Sequence, residues 1–252
     1  MTDSTSDQVL VQLVDILADE TRLGLASHPQ CPPQVLALLA QDEALEVASE
    51  AVGHPECPVQ SLVDVLDAGH ERSLVMRALQ HPRCSEPFLV DASSHSDHQM
   101  RQMVADNPSC PVSVLEQLAD DSDPMVRRYV AGNRQCPVAV LRRLAHDPIA
   151  NVRCGVASHL ATPQDLLLEF LWDPNELIAR AAAWNPACSD DVLRTVVDIR
   201  DSAVRHAAAR HPNASGQLLA YLSQDADPTV ANAALRNPNY SEEYRALVRI
   251  AR

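Results

Sequence analysis

Apolar residues in this chain return in short bursts at helical spacing, and the bursts share one length and one polar punctuation. Val114, Leu115, Leu118 and Ala119 form one apolar stripe. Val140, Leu141, Leu144 and Ala145 form the next, and Val192, Leu193, Val196 and Val197 a later one. Between the first two lies a shorter stripe of Val126, Val130 and Ala131. Nothing alternates with period two over a useful length, so no strands are predicted. The pattern predicts pairs of helices, A and B. Helix B, from about Pro124 to Ala131, is too short to be stable alone and must be held by its neighbours.

Each pair is punctuated by a His or Asn, usually followed by Pro: His28, His54, His81, Asn107, Asn133, His159, Asn185, His211 and Asn237. The intervals are 26, 27, and then 26 residues six times over. A fixed period of this length means one small unit stacked on itself, so the predicted fold is an all-α solenoid of helix pairs. Cys110-Pro111 and Thr162-Pro163 read as starts of helix A with Pro at the first helical position, and Ser189 and Ser241 as caps in the same slot. Asp123-Pro124 and Asp227-Pro228 start helix B in the same way. The chain is therefore expected to form one elongated domain over residues 1–252. It divides into a cap (1–27, with helices Val9 to Ala18 and Thr21 to Ala26), eight repeats (28–236) and a closing helix within 237–252, from Ser241 to Arg252. The three Arg near the end of that helix would complement its dipole.

The phrases VRRYVAGNRQCPVAVLRRLAHDP and VRHAAARHPNASGQLLAYLSQDADP resemble units of the leucine-rich repeat variant family, and the similarity runs over residues 20–250. That resemblance implies a right-handed superhelix alternating α-helices with short or 3₁₀-type helices, close to HEAT repeats. Some members hold an iron–sulfur centre in an N-terminal cysteine cluster. Residues 1–30 of this chain contain no Cys, so that cofactor is not carried over.

Composition narrows the chemistry. Every one of the 20 cationic side chains is Arg, which excludes a lysine nucleophile, a Schiff base or a phosphate-loop lysine. Residues 1–126 carry five Arg against 21 acidic residues (−16), and residues 127–252 carry 15 Arg against 13 (+2). One half should repel anionic partners while the other could attract them. Seven Cys, an odd number in a chain whose opening MTDSTSDQ is unlike a signal peptide, suggest reduced thiols. No apolar run reaches the length of a membrane span. A cytoplasmic monomer without membrane contact is expected.

Several constellations could carry chemistry. His-x-x-Cys recurs at 28/31, 54/57 and 81/84, but successive pairs lie one repeat apart, about 8–10 Å, while zinc needs ligands within roughly 2.3 Å. Asn takes the His slot at Asn107, Asn133 and Asn185, so a structural ladder is expected and no metal or other cofactor. His95 and His98, with His70 one repeat earlier, read as surface loop residues. Arg101, Arg127 and Arg205 follow Asp97, Asp123 and Asp201 by four residues, the favourable orientation for an ion pair within a helix. Arg153 occupies the same slot.

Two positions break the rule of the repeat. Trp172 stands where other repeats carry Gln41, Ser94, Asp120 or His146, and Trp184 where they carry Gly53, Gln80, Gly132 or Ser158. An Arg-rich stretch precedes them: Arg127, Arg128, Arg134, Arg142, Arg143 and Arg153 against the single acid Asp147, with Tyr129 among them. Arg127, Arg128, Tyr129, Arg142, Arg143, Trp172 and Trp184 are thus the expected contact residues for a protein partner, since Trp and Arg are enriched in binding hot spots. The expected function is a non-enzymatic interaction scaffold that binds on a concave face lined mainly by helix B. No phosphate loop, nucleophile elbow or catalytic residue is identified. The alternative is a nucleic-acid-binding or DNA-repair protein of HEAT-like type, against which the net charge of −14 argues.

Overall fold

The computed structural model describes residues 12–67 and 71–241. His70, the start of the predicted cap helix and residues 242–252 of the predicted closing helix lie outside them. Among the described residues there are seventeen α-helices and no strand. In chain order these are α1 (Asp19–Ala26), α2 (Pro33–Leu39), α3 (Leu45–Gly53), α4 (Val59–Asp67), α5 (Arg72–Gln80) and α6 (Glu86–Ala92). Next come α7 (His98–Asp106), α8 (Val112–Leu118), α9 (Pro124–Gly132), α10 (Val138–Leu144), α11 (Ala150–Ser158) and α12 (Gln164–Phe170). The last five are α13 (Glu176–Trp184), α14 (Asp190–Leu193), α15 (Ser202–Arg210), α16 (Gly216–Leu222) and α17 (Pro228–Arg236). Even-numbered helices are helix A of the repeat and odd-numbered ones helix B. This is the all-α repeat solenoid that the hydrophobic period predicts.

The relative lengths are reversed from the expectation. Helix A at α8, α10 and α12 has seven residues and helix B at α9, α11 and α13 has nine. In these three A helices the Pro stands just before the helix and is not its first residue. Pro111, Pro137 and Pro163 are N-caps with extended backbone. The carbonyl of Pro111 accepts the N–H of Val114 and of Leu115, both at 3.0 Å, and so starts the helix. Helix A is shortest at α14, which passes after four residues into a 3₁₀ segment, Arg194–Asp198. There the Thr195 hydroxyl donates back to the Val192 carbonyl at 2.7 Å, and β-branched Val196 and Val197 follow. A second 3₁₀ turn spans Val14–Ile16.

The chain divides into two compact units, Met1–Val126 and Arg127–Arg252. The division coincides with the change in charge, from −16 in the first to +2 in the second. In the first unit Val35, Leu36 and Leu39 of α2, Val47, Ala51 and Val52 of α3 and Leu62 and Val65 of α4 share one buried core. In the second, Val140, Leu141 and Leu144 of α10, Val152 and Val156 of α11 and Leu166, Leu167 and Phe170 of α12 are buried likewise. Its B helices face one another through small residues: Ala157 on α11, Ala182 and Ala183 on α13, and Ala207, Ala208 and Ala209 on α15. A side chain at Gly155 would place its Cβ 3.1 Å from that of Ala131, so glycine serves close helix approach there.

The His/Asn marker is the polar spine of the stack. Its Nδ1 or Oδ1 accepts the backbone N–H two residues on, closing the turn between helix B and the next helix A. Glu56 N donates to His54 at 3.1 Å, Ser109 N to Asn107 at 2.7 Å, Ala161 N to His159 at 3.0 Å and Ala187 N to Asn185 at 2.9 Å. The other end of the side chain reaches back one repeat. In the first unit His54 Nε2 bonds the His28 carbonyl at 3.1 Å, His81 Nε2 the His54 carbonyl at 3.0 Å, and Asn107 Nδ2 the His81 carbonyl at 3.0 Å. In the second unit His159 Nε2 bonds the Asn133 carbonyl, Asn185 the His159 carbonyl and His211 the Asn185 carbonyl, each at 2.9 Å, and Asn237 the His211 carbonyl at 3.1 Å. His and Asn interchange because each offers one acceptor and one donor at matching distances. With Nδ1 accepting, the imidazole is the neutral Nε2–H tautomer. Asn adds a second donation, as from Asn185 to Ala157 O at 2.7 Å.

A second ladder runs from helix B to the loop of the following repeat, and it corrects the expected pairing. Arg101 does not pair with Asp97 but grips Asp121, twenty residues on, through two bonds of 2.6 and 2.8 Å. Arg22 grips Asp42, Arg127 Asp147, Arg153 Asp173 and Arg205 Asp225 in the same two-pronged way. The Asp four residues before the Arg instead caps helix B: Asp97 accepts from Gln99 N, Asp123 from Met125 N and Asp201 from Ala203 N. Where the sequence lacks the Arg, it also lacks the Asp twenty residues later: the register pairs positions 48 and 68 (both Ala), Val75 with His95, and Ala179 with Ile199. The hydrogen bond from Arg22, assisted by the Ala44 N–H, holds the Asp42 carboxyl below its ordinary range, and Arg205 does the same to Asp225. Such carboxylates stabilise the fold above their unfolded pKa of about 4, and that contribution is lost as pH falls through the lower folded values.

The Arg205–Asp225 pair is nearly enclosed, with side chains 15% and 6% exposed. Replacing either partner by Ala leaves the other charge unmatched, which costs about 3–5 kcal/mol. The double variant removes both charges together and leaves none unmatched, so its loss should match that of one single variant. Denaturant unfolding of the three variants measures this. Additive losses would mean that the two residues do not act as a pair.

Candidate functional site

The residues with the most obvious metal chemistry are already engaged. In His54, His81, His159 and His211 the Nε2–H donates to a carbonyl and Nδ1 accepts a backbone N–H, so no ring nitrogen is left for a cation. Burial also pushes the His81 pKa down, which favours the neutral ring. The cysteines of the same turns are buried just ahead of helix A, each Sγ 3.8–4.0 Å from the next carbonyl oxygen. Burial raises the Cys57, Cys84 and Cys188 thiols to about 11, and those of Cys110 and Cys136 to about 12. They are protonated small apolar groups at neutral pH. Thr162 fills the slot once, its hydroxyl donating to Val156 O at 2.6 Å. His95 is a loop residue whose Nδ1 accepts the Asp97 N–H at 3.0 Å, and His98 opens α7. Among the described residues, no group of three or more His, Cys, Asp and Glu is placed to hold a metal ion.

The seven residues expected to contact a partner do not form one surface. Arg127 is an internal tie, bonded to Asp147. Arg142 and Arg143 lie on the outer side of α10, a helix A, and Arg142 is matched by Asp165 across exposed surface. Trp172 follows α12 and is 56% exposed. Arg128, which lies 5.9 Å from the centre of the Tyr129 ring, is on α9, a helix B. Trp184 ends α13 and is 46% exposed. Trp172 precedes that nine-residue helix and Trp184 closes it, so the indoles stand at opposite ends of a rod of about 12 Å. Contiguity in sequence conceals this division, because consecutive helices turn their free sides in different directions.

What gathers around Trp184 lies further along the chain. On α13 the outward positions Leu177, Ala181 and Trp184 form an apolar stripe, with Leu177 65% exposed. The guanidinium of Arg210, at the matching end of α15, sits 5.6 Å from the Trp184 ring centre, a cation–π contact. Beyond it a groove of about 680 Å³ runs between α15 and α17, lined by His206 and Arg210 on one side and Thr229, Asn232 and Arg236 on the other. No carboxylate is among the described residues that line it. The carboxylates of these two helices, Asp201 and Asp227, cap the opposite, N-terminal ends. In the first unit the helix-B surface is of mixed charge, with exposed Glu46 and Glu50 on α3 and Asp106 on α7 beside exposed Arg72 and Arg77 on α5.

The chain is similar to known helical repeat proteins. Residues 124–149 match the model of the leucine rich repeat variant. The structure resembles a solved leucine-rich repeat variant described as having a novel repetitive structural motif, with 27% identity over 81% of each chain and a TM-score of 0.56. An archaeal HEAT-like repeats protein from Thermococcus onnurineus NA1 aligns over 97% of both chains at 14% identity and a TM-score of 0.29. Among curated proteins none matches the sequence.

The thiols give a direct check of this geometry. Six of the seven cysteines are buried, whereas Cys154, on the outward side of α11, is partly exposed. A native sample should expose one thiol to an aromatic disulfide reagent, and a denatured sample all seven. Rapid reaction of several thiols in the native protein would contradict the buried turns.

Proposed function

We propose that this chain, a helical repeat protein of the leucine-rich repeat variant type, binds a protein partner on the outward side of its B helices and has no catalytic role. The observation that carries this reading is the exposed apolar stripe of Leu177 and Trp184 beside Arg210. Other repeats fill the Trp184 slot with Gly53, Gln80, Asp106, Gly132 or Ser158, so the stacking itself does not call for an indole there. Exposed apolar surface next to Arg is typical of the centre of a protein interface.

Catalysis needs groups that converge on one reacting atom. Here the buried His and Asn bond the backbone, the buried thiols are protonated, and five of the Arg are spent on inter-repeat pairs. The net charge of −14 disfavours a nucleic-acid partner, whose affinity comes mostly from phosphate neutralisation. No helix among the described residues is long and apolar enough to cross a membrane.

Site-specific photo-crosslinking in cells tests the reading. A benzophenone residue in place of Leu177 or Thr229, on the outward side of helix B, should trap one and the same protein. The same group at Ala139 or Gln217, exposed on helix A, should not trap it. Crosslinks to that protein from the helix-A positions, or from none of the four, would overturn the proposal.

A further inference from the structure

The groove between α15 and α17 is asymmetric in its chemistry. One wall ends in Arg210 and the other in Arg236, each at the last position of its helix and neither in an ion pair among the described residues. One turn before them stand His206 and Asn232. An Asn amide both donates and accepts, as a peptide bond does, and so matches a peptide backbone; a phosphate backbone would use its donors only. Adjoining the Arg210 wall is Trp184, and with it the apolar stripe that continues to Leu177. Along this row the surface thus passes from an apolar patch to two unmatched guanidiniums one repeat apart.

We infer that this groove holds an extended acidic segment of a protein, anchored by one large apolar side chain on Trp184 and Leu177, with carboxylates on Arg210 and Arg236. The assignment rests on the reading of the helix-B side as a protein-binding surface and names the partner's chemistry. The spacing suits it. Stacked helices are about 8–10 Å apart, and in an extended polyproline II segment residues three apart lie on one face about 9 Å from each other. Successive acidic side chains of that register meet successive guanidiniums, and guanidinium is the cation best shaped to take a carboxylate by two parallel bonds. Among the described lining residues no carboxylate competes with the ligand for the two guanidiniums. His206, Arg210, Asn232 and Arg236 make none of the inter-repeat bonds of the two ladders, so they can be changed without loosening the stack.

The test uses the full chain and three fluorescein-labelled probes. The first is a peptide of one Phe followed by alternating Glu and Asp, the second the same peptide with Lys and Arg for the acids, and the third a single-stranded oligothymidine. The acidic peptide should bind, and more weakly as salt rises. Arg210→Glu with Arg236→Glu should weaken it at least tenfold and make the basic peptide the better ligand. Trp184→Ala should weaken the acidic peptide several-fold. Reversal of preference separates loss of the site from loss of the fold, because an unfolded variant gains no new ligand.

An acidic peptide that does not bind the native chain, or binds unchanged to the Arg210→Glu, Arg236→Glu variant, overturns this assignment. So does oligothymidine that binds as tightly and loses affinity in the same variant. Should helix-B crosslinks to a protein partner persist in any of those cases, the scaffold reading stands and only the acidic ligand is wrong. Absence of helix-B crosslinks removes the scaffold reading itself.

Discussion

One hydrogen-bonded side chain per repeat fixes the period of this molecule. A solenoid must satisfy the carbonyls at the end of each helix B in a place where neither the next helix nor water reaches them fully. Here the marker residue does so across the repeat boundary. The His54 carbonyl accepts the Cys57 N–H at 2.8 Å within its own turn and His81 Nε2 at 3.0 Å from the next. Both lone pairs are used, and the donor must lie one repeat on. A marker shifted by one residue would leave a buried carbonyl unpaired, at a cost of about 1–3 kcal/mol. Regular spacing follows from that penalty, repeated along the chain.

The Arg–Asp ladder acts on the opposite end of helix B and is optional where the marker is not. Three of the repeat junctions lack both members and put apolar or neutral residues in their places, whereas every repeat keeps a His or an Asn. The difference is physical. A marker satisfies backbone groups that are always present. The ion pair satisfies only itself, and removing both charges together leaves nothing unpaired. Arg180 shows the intermediate case: displaced by one residue from the usual slot, it reaches Asp201 and Glu176 instead, while Ala179 and Ile199 stand in the vacated register.

The period, the helix pairs and the structural character of the His-x-x-Cys turns were legible in the sequence, because each leaves a local mark that recurs. The Arg partner was not. Spacing of four suggested Asp97 for Arg101, but stacking brings Asp121 to it from the next repeat. The coordinated absence of Arg and of the Asp twenty residues later was the available sign. Of the candidate site, the sequence pointed to some residues and not to others. Comparing equivalent slots singled out Trp184 as exposed, yet the Arg-rich run 127–153 led to residues on separate helices, one of them already tied to Asp147. Arg210 and Arg236 looked ordinary because a cation at a helix C-terminus is favourable anyway. Their unmatched charge is visible only once the neighbours are placed.

The inter-repeat ladder requires each buried marker histidine to be a neutral Nε2–H tautomer that accepts at Nδ1 and donates at Nε2. Nitrogen-15 NMR of the imidazoles at neutral pH reads this directly through the couplings of Nδ1 and Nε2 to the ring protons. His54, His81, His159 and His211 should all show a protonated Nε2 and an unprotonated, hydrogen-bonded Nδ1. Imidazolium rings, or Nδ1–H tautomers, at the four buried positions would contradict the ladder and with it the explanation of the repeat.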